Sequence, residues 1–354
     1  MFVASTTGAV ALRRRFAQLI GVFLAFSCAL ALASCGADDS GNSSGALGAQ
    51  GSDDAAVGGA RFHTADEETA KLGSDAPEGQ FPRTVVHASG TTEIPAAPER
   101  VVVLDTGELD AVLALGVKPV GIVTTRGENP VPSYLADKVE GIPSVGTIAD
   151  VNVEAVAELR PDLIIGSQVR AEKIYPQLAE IAPTVFSIRP GLPWKENFLL
   201  AGEALGKEAK AREVLNEYAD AVAELGDIAP DGVTVSMVRF MPERLRLYAK
   251  STFIGVILDD AGISRPENQN IEDHALEISP ERIAEADADV IFWASYGDPD
   301  ASGESAVIES DAWKNLSAVK EGRAYRVDDD SWYLGLGPLG AEIVVKELRE
   351  YLAS

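Results

Sequence analysis

The sequence is poor in cysteine, histidine and positive charge. Its 354 residues include two cysteines, Cys28 and Cys35, and three histidines, His63, His87 and His274. These counts exclude a disulfide-rich scaffold and leave too few soft ligands for a structural zinc site. Lys and Arg number 30 against 55 Asp and Glu, which gives a net charge of -25. Because so acidic a surface repels phosphate backbones, we expect no nucleic acid among the partners.

The N-terminal residues are typical of an export signal. Residues 13–15 are three arginines, and residues 16–32 form an apolar run that ends in Leu32-Ala33-Ser34-Cys35. This ending resembles a bacterial lipobox, which implies cleavage before Cys35 and a diacylglyceryl thioether on its sulfur. We therefore predict a lipoprotein signal peptide over residues 1–34, with a plain signal peptide and an incidental cysteine as the alternative. The arginines also fit a twin-arginine signal loosely, so the export route stays open.

Residues 35–80 are predicted to be the lipidated cysteine and a flexible tether. From residue 36 onward the stretch holds nine Gly, nine acidic residues, five Ser and one aromatic residue. Such a composition cannot bury enough apolar area to offset the entropy of an ordered chain. Residues 41–45 match the hydrolase pattern G-x-S-x-G, but that motif needs a strand before it and a helix after it. Neither is predicted there, so we interpret the match as a coincidence.

The rest of the chain alternates short apolar runs with helical patterns. Residues 100–105 predict a buried strand, and residues 107–115 predict the helix that follows it. The same alternation returns later in the chain. It indicates an α/β protein with two doubly wound lobes, over residues 81–192 and 227–354.

One helix–strand unit occurs twice, at residues 152–166 and again at residues 279–293. The identical pairs are Glu154 and Glu281, Ala157 and Ala284, Glu158 and Glu285, Asp162 and Asp289, and Ile164 and Ile291. A polar residue, Asn152 or Ser279, opens each unit as a helix N-cap. We interpret this as an internal structural repeat, with one copy in each lobe.

A connecting helix is predicted between the lobes, within residues 193–226. Residues 195–225 contain no proline and carry a broad apolar stripe, and Gly226 follows them. A helix of about thirty residues spans about 45 Å, enough to join two small lobes. Because a single helix is stiff, we expect the hinge motion to be small.

These features together resemble the helical-hinge substrate-binding proteins of bacterial ABC importers, in the branch that serves ferric siderophores, haem and vitamin B12. The resemblance covers about residues 95–350. The segments that carry it are residues 98–104, 152–165, 175–186, 246–248, 279–283 and 313–319. It implies a binding protein that catalyses nothing, acts as a monomer and delivers its ligand to a membrane permease with its ATPase. It also implies that Glu154 and Glu281 dock into arginine clusters on the permease, whereas from the residues alone they are ordinary helix-start carboxylates.

The ligand site is predicted where parallel strands end at their carboxyl edges. A ferric siderophore is bulky, often anionic and partly aromatic, so arginine and aromatic side chains suit it. The predicted ligand-binding residues are Arg126, Arg170, Arg239, Tyr296, Trp332 and Tyr333. For each arginine a surface ion pair is the alternative.

We therefore predict a ferric-siderophore receptor, exported and lipid-anchored at the outer face of the cytoplasmic membrane. Because iron stays inside the chelator, we expect no cofactor and no metal ligands from the protein. A haem or cobalamin receptor of the same fold, an exported lipid-anchored hydrolase, and an adhesin or sensor remain alternatives. A binder of bare Zn²⁺ or Mn²⁺ is disfavoured because it would need several converging histidines. The siderophore chemistry, the permease and the envelope type stay open.

Residues 335–340 match the dinucleotide pattern G-x-G-x-x-G. That fingerprint requires a complete βαβ unit, and only the length of one helix remains before the end of the sequence. We instead predict a tight turn that brings backbone close to the cleft and starts the last helix.

Overall fold

Two β-sheets, one in each lobe, organise the computed structural model, which describes residues 64–125 and 129–353. The predicted signal peptide, Cys35, the tether up to residue 63, and Arg126 lie outside the described residues.

The N-terminal lobe contains a hairpin and a six-stranded sheet. Its strands are β1 (Arg83–His87), β2 (Gly90–Ile94), β3 (Val101–Val103), β4 (Gly121–Thr124), β5 (Ser144–Thr147), β6 (Asp150–Val151), β7 (Leu163–Ser167) and β8 (Thr184–Ser187). β1 and β2 form the hairpin, and the sheet has the order β6-β5-β4-β3-β7-β8, parallel throughout except between β5 and β6.

Helices cover both faces of this sheet. They are α1 (Ala65–Thr69), α2 (Thr106–Ala114), α3 (Val153–Glu158), α4 (Gln168–Ala171) and α5 (Tyr175–Ile181), with 3-10 turns at Ser133–Lys138 and Glu172–Ile174. Val101 and Val103 pack into the core that contains Leu109 of α2, whereas Val102 packs into the core that contains Val156 of α3. Because successive strand side chains point to opposite faces, one short apolar run serves both cores. The N-terminal lobe is therefore doubly wound, as predicted.

The predicted single connecting helix is wrong, because the connection consists of two helices, α6 (Trp194–Leu205) and α7 (Glu208–Ile228). Gly206 ends α6 in the left-handed conformation, with φ 65°, and the amide of Lys207 donates to the carbonyl of Gly202 at 2.7 Å. A Cβ atom at Gly206 would lie 2.7 Å from the ring of Phe81, so this site suits glycine alone. α6 packs in the N-terminal core from Phe198 onward, whereas Trp194 at its start and the last turns of α7 pack in the C-terminal core.

The predicted tether is wrong for residues 64–80, which pack on the N-terminal lobe. Ala65 and Thr69 are buried, and Gly73 exchanges two backbone hydrogen bonds with Val86 of β1, at 2.8 and 2.7 Å. The amide of Ser74 donates to Glu203 on α6. Composition predicts the average behaviour of a stretch, whereas here a few contacts with an existing strand and helix are enough to order it.

The C-terminal lobe has a five-stranded sheet. Its strands are β9 (Val235–Met241), β10 (Arg244–Tyr248), β11 (Ala275–Ile278), β12 (Val290–Ser295) and β13 (Ala324–Arg326). The order is β11-β10-β9-β12-β13; β9, β12 and β13 pair in parallel, whereas β10 runs antiparallel to both of its neighbours. The sheet is therefore mixed, because two residues, Pro242 and Glu243, join β9 to β10 and so short a turn can join only antiparallel strands.

Helices again flank both faces of the sheet. They are α8 (Phe253–Asp260), α9 (Glu304–Ile308), α10 (Asp311–Lys314), α11 (Ser317–Lys320), α12 (Asp329–Trp332) and α13 (Pro338–Leu352), with 3-10 turns at Glu267–Gln269 and Pro280–Ala286. Met237 packs into the core that contains Val344 of α13, and Val238 packs into the core that contains Ile283.

The repeated unit performs the same structural task in both lobes. The Asp162 carboxylate accepts the amides of Glu99 and Arg100 just before β3, at 2.9 and 2.8 Å. The Asp289 carboxylate accepts the amide of Thr234 just before β9, at 2.8 Å. The helical parts differ, because Asn152 caps an α-helix, whereas Ser279 precedes a 3-10 turn and makes no capping bond to its backbone.

Removing the Asp162 carboxylate should therefore destabilise the N-terminal lobe. We expect Asp162→Ala to lower the free energy of unfolding by about 2 kcal/mol, since two backbone amides lose a charged acceptor. Urea denaturation measures this, with the exposed Glu158→Ala of the same unit as the control for loss of charge. Equal stability of the two variants would contradict the assigned role.

Candidate ligand-binding cleft

Residues of both lobes border one cavity, with a volume of about 190 Å³. It lies where strands end: Arg170 follows β7, Arg189 follows β8, and Tyr296 follows β12. Five of the six predicted ligand-binding residues line it, namely Arg170, Arg239, Tyr296, Trp332 and Tyr333. The structure thus brings these residues together, and their contact with a ligand stays a prediction.

Arg170 is fixed from the N-terminal lobe by Asp105. Its Nε donates to Oδ2 of Asp105 at 2.8 Å, and the same carboxylate accepts the hydroxyl of Ser167 at 2.5 Å. Asp105 is fully buried and is the N-cap of α2, accepting the amide of Thr106 at 2.7 Å. Because this anchor holds one edge of the guanidinium, the direction of Arg170 is set by the sheet and by α2 together.

Arg239 is fixed from the C-terminal lobe by Asp329. Its Nε and Nη2 donate to the two oxygens of Asp329, each at 2.6 Å, and Nη1 donates to the hydroxyl of Tyr248 at 3.0 Å. The rings of Tyr296 and Tyr333 each have their centroid 5.1 Å from Cζ of the guanidinium. Burial alone lowers the pKa of Arg239, but Tyr248 and the Asp329 carboxylate raise it overall, so this side chain stays cationic.

Two further arginines complete the cationic lining. Arg246 donates from Nη2 to Glu277 at 2.7 Å and is 2% exposed. Burial, and secondarily Arg170, lower the pKa of Arg189 to about 10, which still leaves it charged at neutral pH. Burial and the surrounding arginines lower the pKa of His274 to about 3, so this imidazole is neutral. Four guanidinium groups therefore surround one cavity in a chain whose net charge is -25.

Comparison with known proteins decides the family. The model of the family described as "Periplasmic binding protein" matches residues 101–331, which is more than half of the chain. The chain belongs to the periplasmic binding protein family. The predicted α/β fold of two lobes is thereby confirmed.

The chain is similar to individual members of this family. It is 41% identical over 283 residues to the probable siderophore-binding lipoprotein YfiY of Bacillus subtilis, covering 76% of this chain and 87% of that one. It is 30% identical over 285 residues to the Fe(3+)-citrate-binding protein YfmC of Bacillus subtilis, covering 78% and 88%. The crystal structure of Staphylococcus aureus SirA complexed with staphyloferrin B matches with a TM-score of 0.68 at 34% identity, covering 76% of this chain and 98% of SirA.

Sequence reasoning missed four side chains of this periplasmic binding protein's cleft: Arg189, Arg246, Tyr248 and His274. Arg189 lies two residues beyond β8, so the strand-end rule that selected Arg170 could have found it. Arg246 and Tyr248 lie on the antiparallel strand β10, where that rule does not apply.

Trp332 lines the cavity but is also part of the C-terminal core. Its side chain is fully buried, its indole nitrogen donates to Glu347 at 2.6 Å, and its ring lies 4.8 Å from that of Phe292. Tyr333 is anchored as well, since its hydroxyl donates to the carbonyl of Val238 at 3.2 Å. Both rings are therefore fixed parts of the cavity lining. Because Trp332 is fully buried, little of its surface is available to a ligand.

The two predicted docking carboxylates, Glu154 and Glu281, are both exposed. Glu154 lies in the first turn of α3, where the side chain of Asn152 accepts the amide of Ala155 at 2.9 Å. A hydrogen bond from Ser279 lowers the pKa of Glu281, so this carboxylate is ionised at neutral pH. Each glutamate is held at the start of its repeat with its carboxylate in solvent.

Two kinds of feature are absent from the described residues. Within them, no helix combines the length and apolar character needed to cross a bilayer. Over residues 64–125 and 129–353, no three His, Cys, Asp or Glu side chains gather in a way that could hold a metal ion.

Proposed function

We propose that this periplasmic binding protein is the substrate-binding lipoprotein of an ABC importer, which captures a ferric siderophore in the cleft and delivers it to the permease. The observation that carries the proposal is the convergence of four arginines and three tyrosine rings on one cavity between the lobes. Guanidinium groups recognise carboxylate and other anionic oxygens by charge-assisted hydrogen bonds. The names of the relatives, which include siderophore-binding and Fe(3+)-citrate-binding proteins, support the same ligand class.

The charge of the lining restricts the ligand further. With Arg170, Arg189, Arg239 and Arg246 cationic and His274 neutral, the cavity favours a chelate with net negative charge. Asp105 forms an ion pair with Arg170, and Asp329 forms one with Arg239. Both carboxylates are buried or nearly so. Iron arrives inside the chelator as cargo, and the protein carries out no chemical step on it.

We further propose how the protein is held at the membrane and how it meets the permease. The lipid on Cys35 holds the exported protein, as a monomer, at the outer face of the cytoplasmic membrane. Glu154 and Glu281, one from each lobe, dock against cationic side chains of the permease. Ligand binding brings the lobes slightly closer together, which shifts the population toward the form that the permease accepts.

Titration of the intrinsic tryptophan fluorescence tests the ligand class, because Trp332 lines the cavity. We expect saturable quenching at submicromolar concentrations by an anionic ferric chelate of citrate or mixed citrate type, and weaker quenching by a neutral ferric trihydroxamate. Haem, cobalamin and the iron-free chelators serve as comparison ligands. Saturation by haem or cobalamin alone, or no response to any ferric chelate at micromolar levels, would exclude the proposed ligand.

A further inference from the structure

A buried carboxylate of the N-terminal lobe caps a helix of the C-terminal lobe. Asp110, on α2, is fully buried and accepts the amides of Leu339 and Gly340, at 2.8 and 2.9 Å. These amides lie in the first turn of α13, whose Val344 packs in the C-terminal core. Asp110 also accepts the hydroxyl of Tyr134 at 2.7 Å. Helix N-termini favour such a carboxylate, and here the carboxylate and the helix belong to different lobes.

The glycine pattern at residues 335–340 makes this approach possible. A Cβ atom at Gly337 would lie 2.6 Å from the carboxyl carbon of Asp110. At Gly335 it would lie 3.0 Å from the hydroxyl oxygen of Tyr134. The glycines that resemble a dinucleotide fingerprint therefore have another role. Because they carry no side chain, Asp110 and Tyr134 can lie against the start of α13.

A second carboxylate makes the reciprocal contact. Asp330, on α12 of the C-terminal lobe, accepts the side-chain amide of Asn129 at 2.7 Å and the backbone amide of Ser133 at 2.8 Å, both from the N-terminal lobe. Its chain neighbour Asp329 binds Arg239 in the cleft. Helix α12 therefore connects the cleft lining directly to the contact between the lobes.

We propose that Asp110 and Asp330 are positioning residues, which form a clasp that sets the separation of the lobes and thereby slows release of the bound ligand. The kinetic part rests on the proposed function, whereas the effect on lobe separation does not. Each carboxylate satisfies two donors of the opposite lobe, so opening the cleft at this place must break these hydrogen bonds.

The clasp should respond to pH through Asp110. Burial raises its pKa to about 7, while Tyr134 and the two amides of α13 act in the opposite direction and Glu342 raises it further. Asp328 and Asp330 are the other charged groups that face Tyr134. When the lobes separate, water reaches Asp110 and its pKa returns toward about 4. The joined form therefore gains stability from protonation, fully below about pH 4, and loses this gain as pH rises through about 7.

Stopped-flow release of a ferric citrate-type chelate, combined with distances between spin labels, tests the clasp. We expect Asp330→Asn to release the chelate about tenfold faster. Asp110→Asn, whose side chain stays neutral like the protonated carboxyl, should flatten the rise in rate between pH 6 and 8. Spin labels at Glu140→Cys and Glu309→Cys, exposed sites in the two lobes, should report a wider distance distribution in Asp330→Asn. Asp137→Asn, an exposed carboxylate beside Tyr134 in sequence, is the matched control.

The outcomes are distinguishable. Variants that melt with the parent protein but keep its release rate, pH slope and distance distribution would overturn the clasp. If the parent protein binds no ferric chelate, the proposed function fails while the label distances still test the clasp. If Asp110→Asn does not fold, Asp330→Asn still tests the release rate and the label distances from the other lobe.

Discussion

Arg239→Gln is expected to weaken binding of an anionic ferric siderophore by about a hundredfold, because it removes a buried cation at the centre of the cleft. Its guanidinium is held by Asp329 and Tyr248 and flanked by the rings of Tyr296 and Tyr333, so it meets the ligand already oriented. Preorganisation of this kind keeps the entropic cost of binding low. Isothermal titration calorimetry with a ferric citrate-type chelate measures the loss.

The single substitution also affects folding, so it needs a partner variant. Arg239→Gln leaves the nearly buried Asp329 without its cation, which should cost about 3 kcal/mol of unfolding free energy. Burial raises the pKa of Asp329 against the opposing effect of Arg239, so removal of the cation in this variant raises that pKa further. The double variant Arg239→Gln with Asp329→Asn removes both charges and should recover most of the stability.

The double variant separates the two roles of the arginine. If the ligand uses the cation, affinity stays about a hundredfold low even though stability returns. If Arg239 serves only as an ion pair within the protein, the double variant binds like the parent. A neutral ferric trihydroxamate provides the matched ligand, since its affinity should change far less than that of the anionic chelate.

The strand-end rule predicted much of the cleft because most of the strands behind it are parallel. Arg170 and Tyr296 follow parallel strands directly, and both line the cavity. The rule missed Arg246 because it lies on β10, which runs antiparallel to both of its neighbours. It missed His274 because this residue lies at the amino end of β11, not at a carboxyl end. A period-two pattern identifies a strand but does not give its direction, and the direction of β10 depends on a two-residue turn.

Contacts between distant parts of the chain were beyond prediction from local pattern. The break at Gly206 depends on Phe81, which lies 125 positions earlier, and the glycine alone is compatible with a continuous helix. Asp110 looks like any acidic residue in a helix, since its partners at Leu339 and Gly340 lie more than 200 residues away. Ordering of residues 64–80 likewise depends on β1 and α6, which their composition cannot reveal.

Glu154→Ala combined with Glu281→Ala is expected to abolish uptake of the ferric siderophore while leaving its affinity for the purified protein unchanged. Both glutamates are exposed, away from the cavity, and each begins a unit that is fixed by a buried aliphatic residue, Val156 or Ile283. A pair of carboxylates at matching places in two lobes suits a partner with two equivalent cationic surfaces. Uptake of iron-labelled chelate into cells that carry each variant measures transport, and calorimetry measures binding.

The sequence repeat supplies the matched control for this experiment. Glu158 and Glu285 occupy the next turn of the same two units, so Glu158→Ala combined with Glu285→Ala removes equal charge from the same faces of the protein. This pair should transport normally, whereas Glu154→Lys with Glu281→Lys should be as inactive as the alanine pair because it opposes cation with cation. Normal uptake by the lysine pair would mean that the permease recognises another surface, and the two glutamates would then be helix-start carboxylates only.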